Sequence, residues 1–289
     1  MASATANPCI RSGVALATTY EGDDPVLLER IAPLVDAIEI APDTIARSDS
    51  KQQHLRGEVL DEYSWLGPRF RFVAHGIGLS IGSHDSWNET YLRLLDELFS
   101  RFDLEWHSEH LAWTTCGGEN SGTMFALPRT EEALDLICER VTRIQQRYGV
   151  PFLLEHVIQL LPDAPAQFTP AGFLNAITSR TGCGLIVDAY NLECDAHNQG
   201  LDIRAFLDEL DMAAVREVHI AGGVQYSGFQ LDIHSRPARD TTLTLALEIV
   251  ARAPNVRAVT YEFLKEAIAP LGHDAICAEL ARLRKAIQQ

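Results

Sequence analysis

Residues 134–156, LDLICERVTRIQQRYGVPFLLEH, hold one complete change of structure. Leu134, Ile137, Cys138, Val141 and Ile144 recur at helical spacing and give an α-helix one apolar stripe. Gly149 and Pro151 then close that helix, because glycine takes the left-handed turn at a helix end and proline cannot continue the ladder. Phe152-Leu153-Leu154 follows as a short apolar run that ends on a carboxylate, Glu155. A helix followed directly by a buried strand is the unit from which parallel α/β sheets are built, since parallel strands need crossover helices.

The same alternation runs along the whole chain. The strands read at residues 13–17, 37–41, 71–75, 104–110, 152–156, 184–188, 215–220 and 258–263, each followed by apolar residues at helical spacing, such as Tyr91, Leu94, Leu95, Leu98 and Phe99. Ser86-Trp87-Asn88-Glu89 has the spacing of a capping box, and Thr169-Pro170 offers a cap followed by proline at the first helical position. No linker, low-complexity stretch or charge block divides the sequence, so residues 1–289 are read as one domain with a loosely ordered lead-in at 1–12. Eight such units predict a single (β/α)8 TIM barrel. An open doubly wound sheet is the competing fold, but the first βα turn lacks G-x-G-x-x-G and polar residues end most strands.

Bulk properties narrow the function. Hydrophobic residues make up 46% of the chain, yet no apolar run approaches the ~18 residues of a membrane span, and the first residues lack the form of a secretory signal. The 6 cysteines are scattered without a C-x-x-C pair, which fits reduced thiols and a cytoplasmic location. A net charge of −16 argues against nucleic acid, whose phosphates call for clustered Lys and Arg.

The strand ends carry the chemistry. His75, His110, Glu155, Asp188 with Asn191, His219 and Glu262 each stand at or just beyond the end of a different apolar run. Asp232 and His234 add a pair in the loop LDIHS, between His219 and Glu262, on one face if that segment is extended. In a barrel all these ends converge on one rim. A carboxylate such as Glu155 or Asp188 behind apolar residues carries a desolvation cost of ~several kcal/mol unless paired or metal-bound. So many donors exceed the about four to six that one ion takes, which predicts ions bridged by carboxylates, with Glu155 as the natural bridge. Imidazole and carboxylate without thiolate suit Fe, Mn or Zn. Strand alternation forbids His107 and His110 from both pointing inward and favours His110, leaving His107 as a lesser candidate. Glu39 is expected as an interior layer group or as a partner that orients a ligand histidine. Residues 113–127, rich in glycine, are expected to form a long loop that acts as a lid or touches a peptide.

At these blocks the chain resembles the multinuclear non-heme iron-dependent oxidative enzymes, the family that includes the methanobactin biosynthesis oxidase. The resemblance rests on His75-Gly-Ile-Gly-Leu-Ser80, Ser108-Glu-His-Leu111, Leu153-Leu-Glu155, Arg180-Thr-Gly-Cys-Gly184 with Asp188-x-x-Asn191, Asn198-Gln-Gly200, His219-Ile-Ala-Gly222 and Asp232-x-His234, in that order. It implies a TIM barrel that binds two or three irons and uses O₂ to oxidise a residue, usually cysteine, of a ribosomally made precursor peptide. It also implies a small partner protein that captures the peptide leader. Carried over by motif, the implied iron ligands are His75, His110, Glu155, Asp188, Asn191, His219, Asp232, His234 and Glu262. The chain departs from the family pattern at His156, where Asn is common, at Gly223, where a second His often stands, and at Leu264, where an acid is typical. These departures bear on the third iron and on the product, and make His156 a further candidate near the metals. The strand-end pattern is also that of metal-dependent sugar isomerases and hydrolases of the xylose-isomerase-like barrel type, the alternative reading.

Overall fold

The computed structural model describes residues 13–48, 53–67, 70–161 and 165–288, so the predicted lead-in at 1–12 lies outside the described residues. Among the described residues, eight parallel strands close into a barrel. In chain order they are β1 (Ala15–Thr19), β2 (Ala37–Ile40), β3 (Arg71–Gly76), β4 (Leu104–His110), β5 (Phe152–Glu155), β6 (Gly184–Asp188), β7 (Val215–Ile220) and β8 (Ala258–Tyr261). Each strand pairs with its sequence neighbours, and β8 returns to β1 with Ala258 opposite Ala15. The fold is a (β/α)8 TIM barrel, and no predicted strand end moves by more than two residues.

Period-two alternation decides what the barrel contains. Ala15, Val73, Trp106, Leu153, Ile186 and Ala258, from six different strands, form their own buried apolar layer. Two residues further along, the same face carries His75, Ser108, Glu155, Asp188 and Thr260. A buried layer that is apolar except for Glu39 and Glu217, which stand in register with Val73 and with Ile186 and Ala258, therefore lies beneath a polar layer. Around the barrel, the helix Glu131–Tyr148 turns Leu134, Ile137, Val141 and Ile144 inward, and stops at Gly149 with φ 69°. Thr169 caps the helix Pro170–Thr181 as expected, accepting from Gly172 N.

Two local expectations are corrected. The helix Glu89–Arg101 is capped by Asn88, whose Oδ1 accepts from the N–H groups of Thr90 and Tyr91. Ser86 sits too far ahead of that first turn to form the box, and Glu89 instead accepts from Trp87 Nε1 at 2.9 Å. The supposed loop at 113–127 is a β-hairpin, Ala112–Cys116 paired antiparallel with Glu119–Ala126. Gly117 and Gly118 make its turn at φ 62° and 79°, and Trp113 stacks on Phe125 at 4.7 Å.

Gly76 marks where β3 passes closest to its surroundings. A Cβ there would lie 1.8 Å from Tyr91 Oη and 2.6 Å from Glu109 Oε1. Gly76→Ala is expected to lower stability by about 1–3 kcal/mol, read as a fall in the denaturation midpoint.

Candidate metal centre

Strand register lifts the polar ends to one height at the C-terminal rim, with His110 opposite Glu155 and Asp188 opposite His219. Glu155 stands in the middle. Its Oε2 is 2.9 Å from His75 Nε2 and 3.3 Å from His110 Nε2, while its Oε1 is 3.6 Å from His219 Nδ1. Asn191 Nδ2 donates to the same Oε1 at 3.5 Å and to the His156 carbonyl at 3.3 Å, which leaves Asn191 Oδ1 to the cluster. Glu262 Oε2 lies 3.1 Å from His219 Nδ1 and 3.8 Å from His234 Nε2, which in turn meets Asp232 Oδ2 at 2.6 Å. One carboxylate thus belongs to two donor groups, one with His75 and His110, the other with Asp188, His219 and Glu262.

The far side of each imidazole is held by the protein. Ser108 Oγ gives its proton to the Ala74 carbonyl at 3.0 Å, so its 2.9 Å contact with His75 requires His75 Nδ1 to donate. His110 Nδ1 donates to the Gly76 carbonyl at 3.0 Å. Each ring, when neutral, keeps its lone pair on Nε2, the nitrogen turned toward Glu155. His219 is reversed, with Nε2 facing Glu39 Oε2 at 3.3 Å in an ion-pair contact rather than a well-formed hydrogen bond, and with Nδ1 turned to the cluster. Proteins aim metal-binding imidazoles by just such partners. Glu39→Gln is expected to weaken metal binding by about 10–100-fold, measured by competition with a chelator, with the fold intact.

His75 Nε2, His219 Nδ1, Glu155 Oε2, Asp188 Oδ2, Asn191 Oδ1 and Asp232 Oδ1 are buried without a hydrogen bond of good geometry. Each such atom costs ~1–3 kcal/mol, and a coordinated cation would satisfy them together. The donor set is nitrogen and oxygen only, because the buried Cys194 packs with Tyr190 and Ala221. These residues fit divalent metal ions.

Electrostatics agree. Burial pushes Asp188 well above the ordinary carboxylate range, and Asp232, Glu155 and Glu262 add to it. Burial also acts on Glu155, but His110, His219 and His75 hold it well below that range. Against burial, His219 and His234 bring Glu262 to about 2. Burial pushes His75 down, yet Glu39 and Glu155 outweigh it and hold the imidazole at about 9. Protons on imidazoles balance the carboxylates where a cation would otherwise do so.

Of the predicted donors, His75, His110, Glu155, Asp188, Asn191, His219 and Glu262 are brought together. Asp232 and His234 form an adjoining pair that reaches the rest through Glu262. Their segment is not extended as the same-face reading requires, because His234 has φ 47°. His107 does not reach the rim. It points away from the barrel axis, with its ring centroid 5.1 Å from Phe152 and 5.9 Å from Tyr148 and with Nε2 3.0 Å from Glu109. His156 also faces elsewhere, since one step along β5 from Glu155 reverses the side of the sheet. Sequence reading missed Glu217, which is fully buried, accepts from Trp106 Nε1 at 2.7 Å and stands 3.7 Å from His219 Nε2. Its place two residues before His219 was the available signal.

The cluster opens into a cavity of about 500 Å³ bordered by Thr123 and Met124 of the hairpin, Ile158, Ile233 and Leu264. Residues 21–288 match the family described as RiPP precursor modification enzyme MbnB/TglH/ChrH. The chain belongs to this family. Among curated relatives, the UPF0276 protein Anae109_1558 of Anaeromyxobacter sp. (strain Fw109-5) is 35% identical over 180 residues, 62% of this chain and 64% of that protein, just under two thirds of its length. A UPF0276 protein of Caulobacter vibrioides is 31% identical over 218 residues, 75% of each chain. Solved structures of like fold include a xylose isomerase domain protein from Salmonella typhimurium LT2, with TM-score 0.60, 12% identity and 97% and 99% of the two chains covered. Another is endonuclease IV from Thermus thermophilus, with TM-score 0.55, 16% identity and 94% and 98% covered. At such identities these structures bear on the fold alone.

Within the family, the departure at Gly223 has a structural cause. A Cβ there would lie 1.9 Å from the Leu231 carbonyl oxygen and 2.8 Å from the Tyr190 ring, so backbone occupies the space a side chain needs. At a further departure, Leu264 adds an apolar residue to the cavity rim. Among the described residues, no helix is long and apolar enough to cross a membrane.

Proposed function

We propose that this chain is an iron-dependent oxidase or oxygenase that uses O₂ to modify a residue, with cysteine as the target, in a ribosomally made precursor peptide. The observation that carries this reading is Glu155, one buried carboxylate shared by two donor groups, in a barrel of a precursor-modifying family. His75, His110, Glu155, Asp188, Asn191, His219, Asp232, His234 and Glu262 would hold two or three irons, and bound iron supplies one-electron redox chemistry with O₂ as the oxidant. The chain's own part is positional. Ser108, the Gly76 carbonyl and Glu39 orient the imidazoles, and the buried layer of Val73, Trp106, Leu153 and Ile186 closes the barrel from below. The open side of the cavity, beside Thr123 and Met124, is where an extended peptide would lie. A small leader-binding protein would deliver that peptide in a cytoplasmic setting.

Anaerobic reconstitution with ferrous iron, followed by elemental analysis and O₂ uptake, tests the reading. About two or more irons per chain and O₂ consumption are expected. Stoichiometric zinc on purification, with indifference to O₂, overturns it.

A further inference from the structure

Beside the mouth lies a second cavity of about 240 Å³, walled by Leu127, Phe173, Leu174, Leu192 and Phe206. Val157 lines both cavities, so an occupant of the second would sit next to the contents of the first. Every polar side chain of the second cavity makes at least one hydrogen bond within the protein, with one exception. Asp195 accepts from Gln159 N at 2.8 Å, Gln199 Nε2 donates to the Gln159 carbonyl at 3.1 Å, and Gln159 Nε2 donates to the Leu161 carbonyl at 2.7 Å. Arg129 Nε donates to the Phe168 carbonyl at 3.1 Å.

His156 is the exception. Its ring lies 5.9 Å from that of Phe206, and both ring nitrogens are buried. The Ile186 carbonyl is close, yet neither nitrogen makes a hydrogen bond of good geometry. A buried polar atom left so costs ~1–3 kcal/mol. A buried imidazole left without such a bond, in a largely apolar wall, calls for a ligand with a polar group on an apolar body. A cavity of ~150 Å³ holds a benzene ring, so this one has room for a substituted ring.

We propose that this cavity is a side-chain pocket for a phenolic ring, whose hydroxyl is met by a His156 ring nitrogen after rotation of the imidazole, since protein covers both nitrogens as it stands. Phe173 and Phe206 supply aromatic walls for edge or offset contact. A phenol hydroxyl both donates and accepts, so it serves either tautomer of His156, whereas an indole N–H only donates. The source assigned to the ring is a tyrosine flanking the modified residue of the precursor peptide. That assignment rests on the proposed function; the binding of a phenol does not.

Equilibrium dialysis of the as-purified protein against p-cresol, toluene and N-acetyl-tyrosinamide tests both parts. p-Cresol is expected to bind about tenfold more tightly than toluene, the upper end of what one net hydrogen bond supplies. His156→Leu removes that preference while toluene still binds, and Leu174→Trp, which fills the cavity, loses both ligands. His156→Met is measured alongside, so that misfolding of one variant leaves the other to decide. Equal affinities for p-cresol and toluene, or a preference that survives in the folded His156 variants, overturn the site. N-acetyl-tyrosinamide binding as tightly as p-cresol supports the peptide source, and its exclusion while p-cresol binds overturns that source. None of these readings depends on iron content or O₂ uptake, so the two hypotheses fail separately.

Discussion

Glu155→Gln is expected to strip both donor groups of metal at once, whereas changes at the periphery cost only part of the load. The substitution keeps the shape of the side chain and removes its charge. Glu155 Oε2 faces His75 and His110 while Oε1 faces His219, so the anion is shared and no neighbour replaces it. Loss of partners that merely orient a ligand costs about 10–100-fold in affinity, and loss of a shared anionic ligand exceeds that range. Elemental analysis after reconstitution and gel filtration reads the result directly, with circular dichroism as the check on folding. Asp232→Ala is the comparison, because Asp232 stands against His234 and beside Asp188, away from His75, His110 and Glu155, and this variant retains metal among those three. Metal in Glu155→Gln equal to that in the unsubstituted protein excludes a shared carboxylate.

Glu155 could be found from sequence because the physics is local: three apolar residues, then a carboxylate, in a strand that must be buried. The same logic located His75, Asp188, His219 and Glu262, and barrel closure did the rest. It failed where conformation is set by packing rather than pattern. The hairpin strand Glu119–Ala126 is largely exposed, so it lacks the apolar alternation that marks a half-buried strand, and its glycines read as a loop. The left-handed turn at His234 follows from how the segment after Phe229–Leu231 folds back on the rim, and no residue type announces it. Asp43 was invisible for a similar reason. It comes from the irregular segment after β2, yet it lines the mouth, accepts from Ile77 N at 3.2 Å and is pushed up to about 6 by burial and by Glu109.

Removal of metal is expected to lower the melting temperature by about 8–16 °C at pH 7.5. A ligand present at 1,000 times its dissociation constant stabilises the folded state by about 4 kcal/mol, and each kcal/mol is worth about 2–4 °C in a chain of this size. This gap should widen as pH rises, and the sign follows from His75. Its imidazole stands at about 9 in the metal-free fold against an ordinary 6.5, because Glu39 and Glu155 outweigh its burial. A raised histidine contributes stability that is complete below pH 6.5 and is lost as pH climbs through about 9. The metal-free protein therefore weakens across that window. A metal ion must displace the same proton, so its affinity rises across the window by up to about tenfold per pH unit. Glu262, already ionised from about 2 upward, contributes nothing there. Differential scanning with and without ferrous iron, under argon at pH 6.5, 7.5 and 8.5, gives the slope. A gap that stays constant or narrows with rising pH shows that the metal does not replace the proton on His75, and removes that imidazole from the ligand set.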